Sequence, residues 1–77
     1  MELIWIKEAQ YLNDFKIKIV FNDNKTKIAN LEKHLEKPIF HPLKDKEFFK
    51  NFKLNSFTIE WNNGADFSPE FLYNIGV

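Results

Sequence analysis

Apolar residues occupy both faces of the first segment of the chain, which runs from Leu3 to about Ala9. Leu3 and Trp5 fall on one side of an extended backbone, and Ile4 and Ile6 fall on the other. A strand with two apolar faces is typical of the interior of a sheet or of a covered position. The pattern therefore predicts a first strand that is buried on both faces.

A second strand is predicted from Tyr11 to Phe21, where apolar residues alternate with lysines. The inward positions are Phe15, Ile17, Ile19 and Phe21. The run 22–25 consists of turn-forming residues, and Asn24 accepts a left-handed backbone conformation. We expect residues 25–28 to return as the antiparallel partner of this strand.

Helical signals follow in the middle of the chain. Asn30 is a candidate N-cap for a short turn that puts Leu31 and Leu35 on one side, and Pro38 ends it. Residues 38–43 are predicted to be extended or irregular, with Phe40 and Leu43 turned inward. Asp45 is then predicted to cap a second helix, from Lys46 to about Phe52.

The last third of the chain predicts a second short hairpin, a tight turn and a final short helix. Residues 53–55 and 56–61 are predicted to form either this hairpin or a bent strand pair, and Asn63-Gly64 is the dipeptide that most readily adopts positive φ. Ser68 is a hydroxyl N-cap, and Pro69 stands at the first helical position, where a missing N–H costs nothing. The predicted fold class is α+β: one domain over 1–77, with a small antiparallel sheet of about five short strands and two or three short helices.

Composition limits the function classes. A chain of 77 residues buries only about 60% of its unfolded surface, so the nine Phe, two Trp and two Tyr are needed for a dense core. No Cys is present, which excludes disulfides and thiolate metal sites. The run 1–8 lacks the features of a signal peptide, and no apolar stretch approaches the roughly 18 to 20 residues that span a bilayer. We therefore expect a cytoplasmic protein that does not enter the membrane.

Charge gives a further limit. Eleven basic and eleven acidic residues cancel, and every basic residue is Lys. A neutral chain without Arg has no bidentate reader of guanine and no general attraction to nucleic acid.

Candidate catalytic and metal-binding groups are sparse. His34 and His41 lack a third ligand at a diagnostic spacing, so no metal site is predicted. Asp66 and Glu70 could form a carboxylate pair for acid–base chemistry, but a cap at Ser68 places Asp66 outside the helix. There its carboxylate would interact favourably with the N–H groups and the positive dipole end of the helix N-terminus. Neither Ser56 nor Ser68 lies in a nucleophile elbow. We expect no enzyme and no cofactor.

Aromatic residues allow two interpretations. Phe and Lys interleave at 15–18 and 48–53, a pattern that could stack bases, although strand alternation would separate the two residue types onto opposite faces. Trp5, Trp61 and Tyr73 exceed what so small a core must bury. They are predicted either to be exposed residues that bind a partner or to close the ends of the sheet.

The run from Ile59 to Phe67, followed by Pro69, Glu70, Leu72 and Tyr73, closely resembles the bacterial family called domain of unknown function 2442. The signature of that family is a Trp-Pro-Asn-Gly-Ala-Asp run that ends in Leu-Tyr, and the resemblance extends over about residues 15–73. Asn62, Asn24 and Asn30 stand where the family usually has Pro, Gly and Asp, so each replaces one turn or cap former by another. The structural motif consists of Trp61, Asn63, Gly64, Asp66, Ser68, Pro69 and Tyr73.

The resemblance implies small α+β domains that stand alone or are joined to a DNA-binding helix-turn-helix. Many members are encoded beside a small partner gene in pairs resembling toxin and antitoxin, and others lie near defence loci that include CRISPR nucleases. Because the sequence ends at Val77, we expect any action on nucleic acid to pass through a partner.

The sequence thus favours a non-catalytic, homodimeric accessory or antitoxin-like subunit that binds a larger bacterial protein such as a toxin or defence nuclease. The dimer contact is expected at a sheet edge or at an exposed aromatic face. A small-ligand-sensing domain and a weak, direct nucleic-acid binder are the alternatives. A deep apolar pocket with converging polar groups would favour the sensor, and a contiguous lysine strip would favour the nucleic-acid binder.

Overall fold

The computed structural model describes residues 3–77; Met1 and Glu2, which contribute to the prediction about a signal peptide, lie outside the described residues. The fold is α+β, as predicted, with two small antiparallel sheets, two short α-helices and two 3-10 segments over Glu32–His34 and Pro38–Lys44. The strands and helices are β1 (Ile6–Asn13), β2 (Lys16–Phe21), β3 (Thr26–Asn30), α1 (Lys46–Phe49), β4 (Lys53–Leu54), β5 (Ile59–Glu60) and α2 (Pro69–Ile75).

The larger sheet has the order β1-β2-β3, with β2 in the centre. Ile17, Ile19 and Phe21 on β2 are fully buried, which confirms the predicted inward face. Lys16 and Lys18 are exposed on the other face. The strand therefore has one dry and one wet face, as its alternating pattern requires.

The predicted first strand is wrong in position and in burial. β1 begins at Ile6, and it is an edge strand of its sheet. Leu3 and Trp5, which precede it, are exposed. Ile6 on the opposite face is buried in the core and Ile4 is half-buried, so the prediction of burial fails only on the face of Leu3 and Trp5.

The predicted single strand from Tyr11 to Phe21 is also wrong, because a hairpin divides it. Asn13 pairs with Lys16 across a two-residue turn, in which Asp14 has a φ of 47°. Phe15 is the second turn residue, and its half-buried ring packs edge-on against Phe49 at a centroid distance of 5.2 Å. Phe15 thus keeps the inward direction that alternation predicts without belonging to a strand.

The second turn of the sheet follows the prediction. Asn24 has a φ of 69°, and β3 pairs with β2 in antiparallel register. Beyond β3, the chain terminus adds two backbone hydrogen bonds, from the Ile28 N–H to the Val77 carbonyl and back, at 3.0 and 3.1 Å. The C-terminal residue therefore covers part of the β3 edge.

The middle of the chain is more helical than predicted. The Asn30 side chain accepts a hydrogen bond from the Glu32 N–H at 3.1 Å, but the N-cap of the 3-10 segment is Leu31 and not the predicted Asn30. Leu31 and Leu35 are both buried in the core. Residues 38–44 form a 3-10 segment, so the extended or irregular prediction is wrong; the fixed φ of Pro38 and Pro42 is compatible with helical backbone. Asp45 caps α1 as predicted, but the helix ends at Phe49 rather than Phe52.

β4 and β5 pair as the predicted second hairpin. The buried apolar side chains of both sheets, the second 3-10 segment, the two helices and the loops between them form one core cluster. Within residues 3–77, none of the helices has the length and apolar character required to cross a bilayer.

Candidate functional site

The turn at residues 61–65 connects β5 to the run before α2, and its hydrogen bonds define a rigid corner. The Trp61 N–H donates to the Ala65 carbonyl and the Gly64 N–H donates to the Trp61 carbonyl, both at 2.9 Å. Gly64 has a φ of +87°, which confirms the predicted left-handed conformation. Asn63 accepts from the Ala65 N–H through Oδ1 and donates to the Ile39 carbonyl through Nδ2, so it ties the corner to the second 3-10 segment.

Ser68 and Pro69 start α2 as predicted. The Ser68 hydroxyl accepts a hydrogen bond from the Phe71 N–H at 3.1 Å, and Pro69 is the first helical residue. Asp66 lies outside the helix and is exposed; its backbone bridges to Glu60. The helix is therefore capped by Ser68 and not by Asp66.

Tyr73 connects α2 to the turn between β2 and β3. Its hydroxyl donates to Asp23 Oδ2 at 2.7 Å, and the Lys27 ammonium lies 3.9 Å from its ring centroid while donating to the Tyr73 carbonyl. The Tyr73 hydrogen bond, with a further one from the Lys25 N–H, lowers the pKa of Asp23. Tyr73 is half-buried, so much of its surface is engaged within the chain.

For Trp61, the prediction of an exposed residue that binds a partner is wrong. Its side chain is only 2% exposed, and its Nε1 donates to the Phe49 carbonyl at 2.7 Å. The indole packs against Phe49, Phe52 and Phe67, with centroid distances of 5.7, 6.1 and 5.9 Å. Trp61 is therefore a core residue and offers no surface to a partner.

Trp5, by contrast, is 40% exposed and belongs to an apolar surface. Leu3 is 74% exposed and Phe57 is 63% exposed, and these three side chains line the same depression of about 330 Å³. The remaining lining residues are Ile4, Ser56, Pro69 and Glu70. We call the cluster of Leu3, Trp5 and Phe57 the Trp5 surface.

Backbone hydrogen bonds hold the Trp5 surface in place. The Ile6 N–H donates to the Phe57 carbonyl at 2.8 Å, which joins the start of β1 to the loop between β4 and β5. The Asn22 side chain accepts from the Trp5 N–H and donates to the Leu3 carbonyl, at 2.9 and 2.8 Å. The exposed apolar residues therefore sit on fixed backbone.

A groove of about 430 Å³ lies between the 3-10 segments and the start of α2. The sequence did not predict this groove, although Phe67 and Phe71 at a spacing of four around a helix start were a signal for it. Its lining residues are His34, Glu36, Lys37, Phe40, Asp66, Phe67, Ser68 and Phe71.

The two histidines do not come together in a ligand cluster. His34 is half-buried and packs edge-on against Phe71, with ring centroids 5.0 Å apart, whereas His41 is exposed. Among the residues that the structure describes, no three His, Cys, Asp or Glu side chains are placed to hold a metal ion.

Comparison with protein families identifies a relationship that covers most of the chain. The family model described as "Protein of unknown function (DUF2442)" matches residues 6–77, which include both sheets and both α-helices. No curated protein and no solved structure matches the chain. Because the family model covers nearly the entire sequence, the chain belongs to the DUF2442 family.

Proposed function

We propose that this protein is a non-catalytic interaction module: a homodimeric accessory or antitoxin-like subunit that binds a larger bacterial protein, such as a toxin or a defence nuclease. The observation that carries the proposal is the Trp5 surface. Contiguous exposed apolar residues mark interaction sites, and Trp is enriched among the residues that contribute most to interface affinity.

The sheet edges are less suitable for self-association than the Trp5 surface. β1 is an edge strand, but its register shifts between Ile6 and Glu8 and again between Tyr11 and Asn13. Such bulges disturb a strand edge and protect it from pairing with another chain. On the β3 side, Val77 already occupies part of the edge. We therefore propose that self-association uses the Trp5 surface and that the partner protein binds the same surface in exchange for the second copy.

Direct nucleic-acid binding has less support. Lys46 pairs with Asp14 at 3.0 Å, and Lys50 pairs with Glu47 at 3.1 Å, so these two lysines have acidic neighbours that offset their charge. A balanced surface of this kind gives little of the electrostatic attraction that dominates nucleic-acid affinity.

Light scattering and affinity capture test the proposal with two variants. Trp5→Ser/Phe57→Ser removes the apolar character of the Trp5 surface. Ile39→Ser is the matched control, because Ile39 is 48% exposed and lies outside that surface. We expect dimers for the wild type and Ile39→Ser, and monomers for the double variant.

The three proteins are then used as baits in a lysate of the native host, with mass spectrometry to identify the captured protein. We expect the wild type and Ile39→Ser to retain the same protein and the double variant to lose it. A monomer mass for the wild type at high micromolar concentration would refute the homodimer, and equal capture by all three baits would refute the partner contact. Far-UV circular dichroism establishes that each bait is folded.

A further inference from the structure

Three phenylalanine rings form a column beside the groove at the start of α2. Phe40 and Phe67 are stacked with centroids 4.6 Å apart and an angle of 6° between their planes. Phe67 and Phe71 are also stacked, with centroids 5.6 Å apart and an angle of 13°. Phe67 is buried in the middle, whereas Phe40 and Phe71 at the two ends are half-buried. All three rings line the groove, and His34 packs edge-on against Phe71 at the same place, so the ring surface offered to a ligand is the part of the column that faces the groove.

Carboxylates accompany these rings. Asp66 and Glu36 line the groove and are both exposed, and Lys37 is the lysine that lines it. The hydrogen bonds that shape the adjoining corner run through Asn63, Thr58 and Ser68. Asp66 is therefore a carboxylate at the wall of an aromatic groove, and it is not the group that caps the helix.

The groove also adjoins the Trp5 surface. Ser68 and Phe71 line the groove, while Pro69 and Glu70 line the depression at the Trp5 surface, so the first turn of α2 separates the two. A protein that covers the Trp5 surface and this turn reaches the groove without a change in fold.

We infer that the groove binds the guanidinium group of an arginine side chain that the partner protein presents. The inference rests on the proposed function, and it adds the chemistry by which the partner is recognised. Guanidinium groups stack on aromatic faces and form bidentate hydrogen bonds with carboxylates, and the groove supplies both kinds of group. The chain has no arginine of its own, so this group comes from another molecule.

Arginine fits the groove better than lysine does. An ammonium is a compact, strongly hydrated charge, whereas a guanidinium is planar and more weakly hydrated, so it loses less when it lies against a ring. The single positive charge of Lys37 repels a bound cation, but the two negative charges of Asp66 and Glu36 exceed it. Favourable charge alone would not distinguish the two side chains; the aromatic column does.

NMR titration of the isotope-labelled protein tests the inference, with N-acetyl-arginine methylamide as the probe. The citrulline analogue, which is close in shape but uncharged, and the lysine analogue are the controls. We expect the arginine probe to shift the amide signals of the groove, including Phe40, Asp66 and Phe71, and the citrulline probe to leave them in place. The lysine probe should bind several-fold more weakly than the arginine probe.

Two variants locate the effect. Asp66→Asn removes the charge of an exposed side chain without altering the Ser68 cap, and we expect it to weaken arginine binding about tenfold. Glu8→Gln removes an exposed carboxylate on β1, outside the groove, and should leave binding unchanged. Equal binding of arginine and citrulline, shifts outside the groove, no shifts, or equal effects of the two variants would each overturn the inference.

The partner itself gives the second readout. Excess arginine probe, but not lysine probe, should displace the protein captured by the wild-type bait, and Asp66→Asn should capture less of it than Glu8→Gln does. If the Trp5→Ser/Phe57→Ser bait loses the partner while Asp66→Asn retains it fully, the proposed function stands and the arginine site is refuted. If the arginine probe binds the groove but no bait depends on the Trp5 surface, the proposed partner contact fails and the groove is a site for a free guanidinium ligand.

Discussion

Trp61 combines two separable contributions to stability: a buried indole and a hydrogen bond from its Nε1 to the Phe49 carbonyl at 2.7 Å. Trp61→Ala removes both and leaves a cavity among Phe49, Phe52 and Phe67, which costs roughly 3 to 5 kcal/mol. Domains of this size have a total unfolding free energy of only about 4 to 12 kcal/mol. We therefore expect Trp61→Ala to be largely unfolded or to melt far below the wild type.

Trp61→Phe separates the two contributions. It keeps an aromatic ring in the same surroundings but leaves the Phe49 carbonyl without its donor, and an unsatisfied buried acceptor costs about 1 to 3 kcal/mol. At roughly 4 to 8 °C of melting temperature per kcal/mol, the expected decrease in melting temperature lies between about 4 °C and about 24 °C. Some loss of ring volume adds to this value.

The assay is urea and thermal unfolding followed by far-UV circular dichroism, because indole fluorescence would change with the substitution itself. Trp5→Phe is the matched control: Trp5 is 40% exposed, so at concentrations where the protein is monomeric the unfolding free energy of Trp5→Phe should stay within about 0.5 kcal/mol of the wild-type value. Each protein is measured at two concentrations, since self-association makes the melting temperature depend on concentration. Equal stability of Trp61→Phe and Trp5→Phe would refute the energetic role of the Nε1 hydrogen bond.

Two further predictions concern the motif. Gly64→Val should lower the unfolding free energy by about 1 to 3 kcal/mol because Gly64 has a φ of +87°. Gly64→Asn should lower it less, since Asn tolerates the left-handed region of backbone conformation. Equal urea midpoints for the two variants would contradict the argument. A Cβ added at Gly64 would meet no atom within 4 Å, so the cost comes from the backbone and not from a clash. Tyr73→Phe removes the hydrogen bond that lowers the pKa of Asp23 in the folded protein. Because the pKa of Asp23 is lower in the folded protein, its carboxylate stabilises the fold above the unfolded-state pKa near 4, and this stabilisation is lost as the pH falls through the folded-state pKa. Tyr73→Phe should therefore lose less stability than the wild type between about pH 5 and pH 2. Parallel stability profiles of the two proteins over that range would contradict the assignment.

The elements predicted most accurately are those whose local chemistry has one favourable outcome. Gly64 at positive φ, the Asp45 and Ser68 caps and Pro69 at the first turn of α2 all appear as the sequence indicates. In each case a side chain satisfies a nearby backbone group or a backbone conformation excludes most residues, so tertiary contacts have little to override.

The errors have a common physical origin in side-chain direction. Phe15 points to the core from a turn, so alternation continued through a hairpin and concealed the change of direction at Asp14. The error at residues 38–44 concerns the backbone: its two prolines exclude a central strand, but they fit a 3-10 segment as well as an irregular loop. Periodicity reports which way a side chain points, and it does not report whether the backbone between two such residues reverses.

Exposure of aromatic residues was the least predictable property, and it decides where the function is sought. Trp5 and Trp61 both lie in a strand-like pattern, yet Trp61 is buried against three Phe rings, whereas Trp5 is 40% exposed beside Phe57. The difference arises from contacts between residues that are distant in sequence. The Phe49 carbonyl that accepts the hydrogen bond from Trp61 Nε1 lies in α1. The Phe57 carbonyl that accepts from the Ile6 N–H lies in the loop between β4 and β5. A composition that supplies more large aromatic residues than the core can hold must expose some of them. Here the fold leaves ring surface accessible on both sides of the first turn of α2, with Trp5 and Phe57 on one side and the half-buried Phe71 on the other, so a partner of the kind proposed would meet aromatic surface on both sides of that turn.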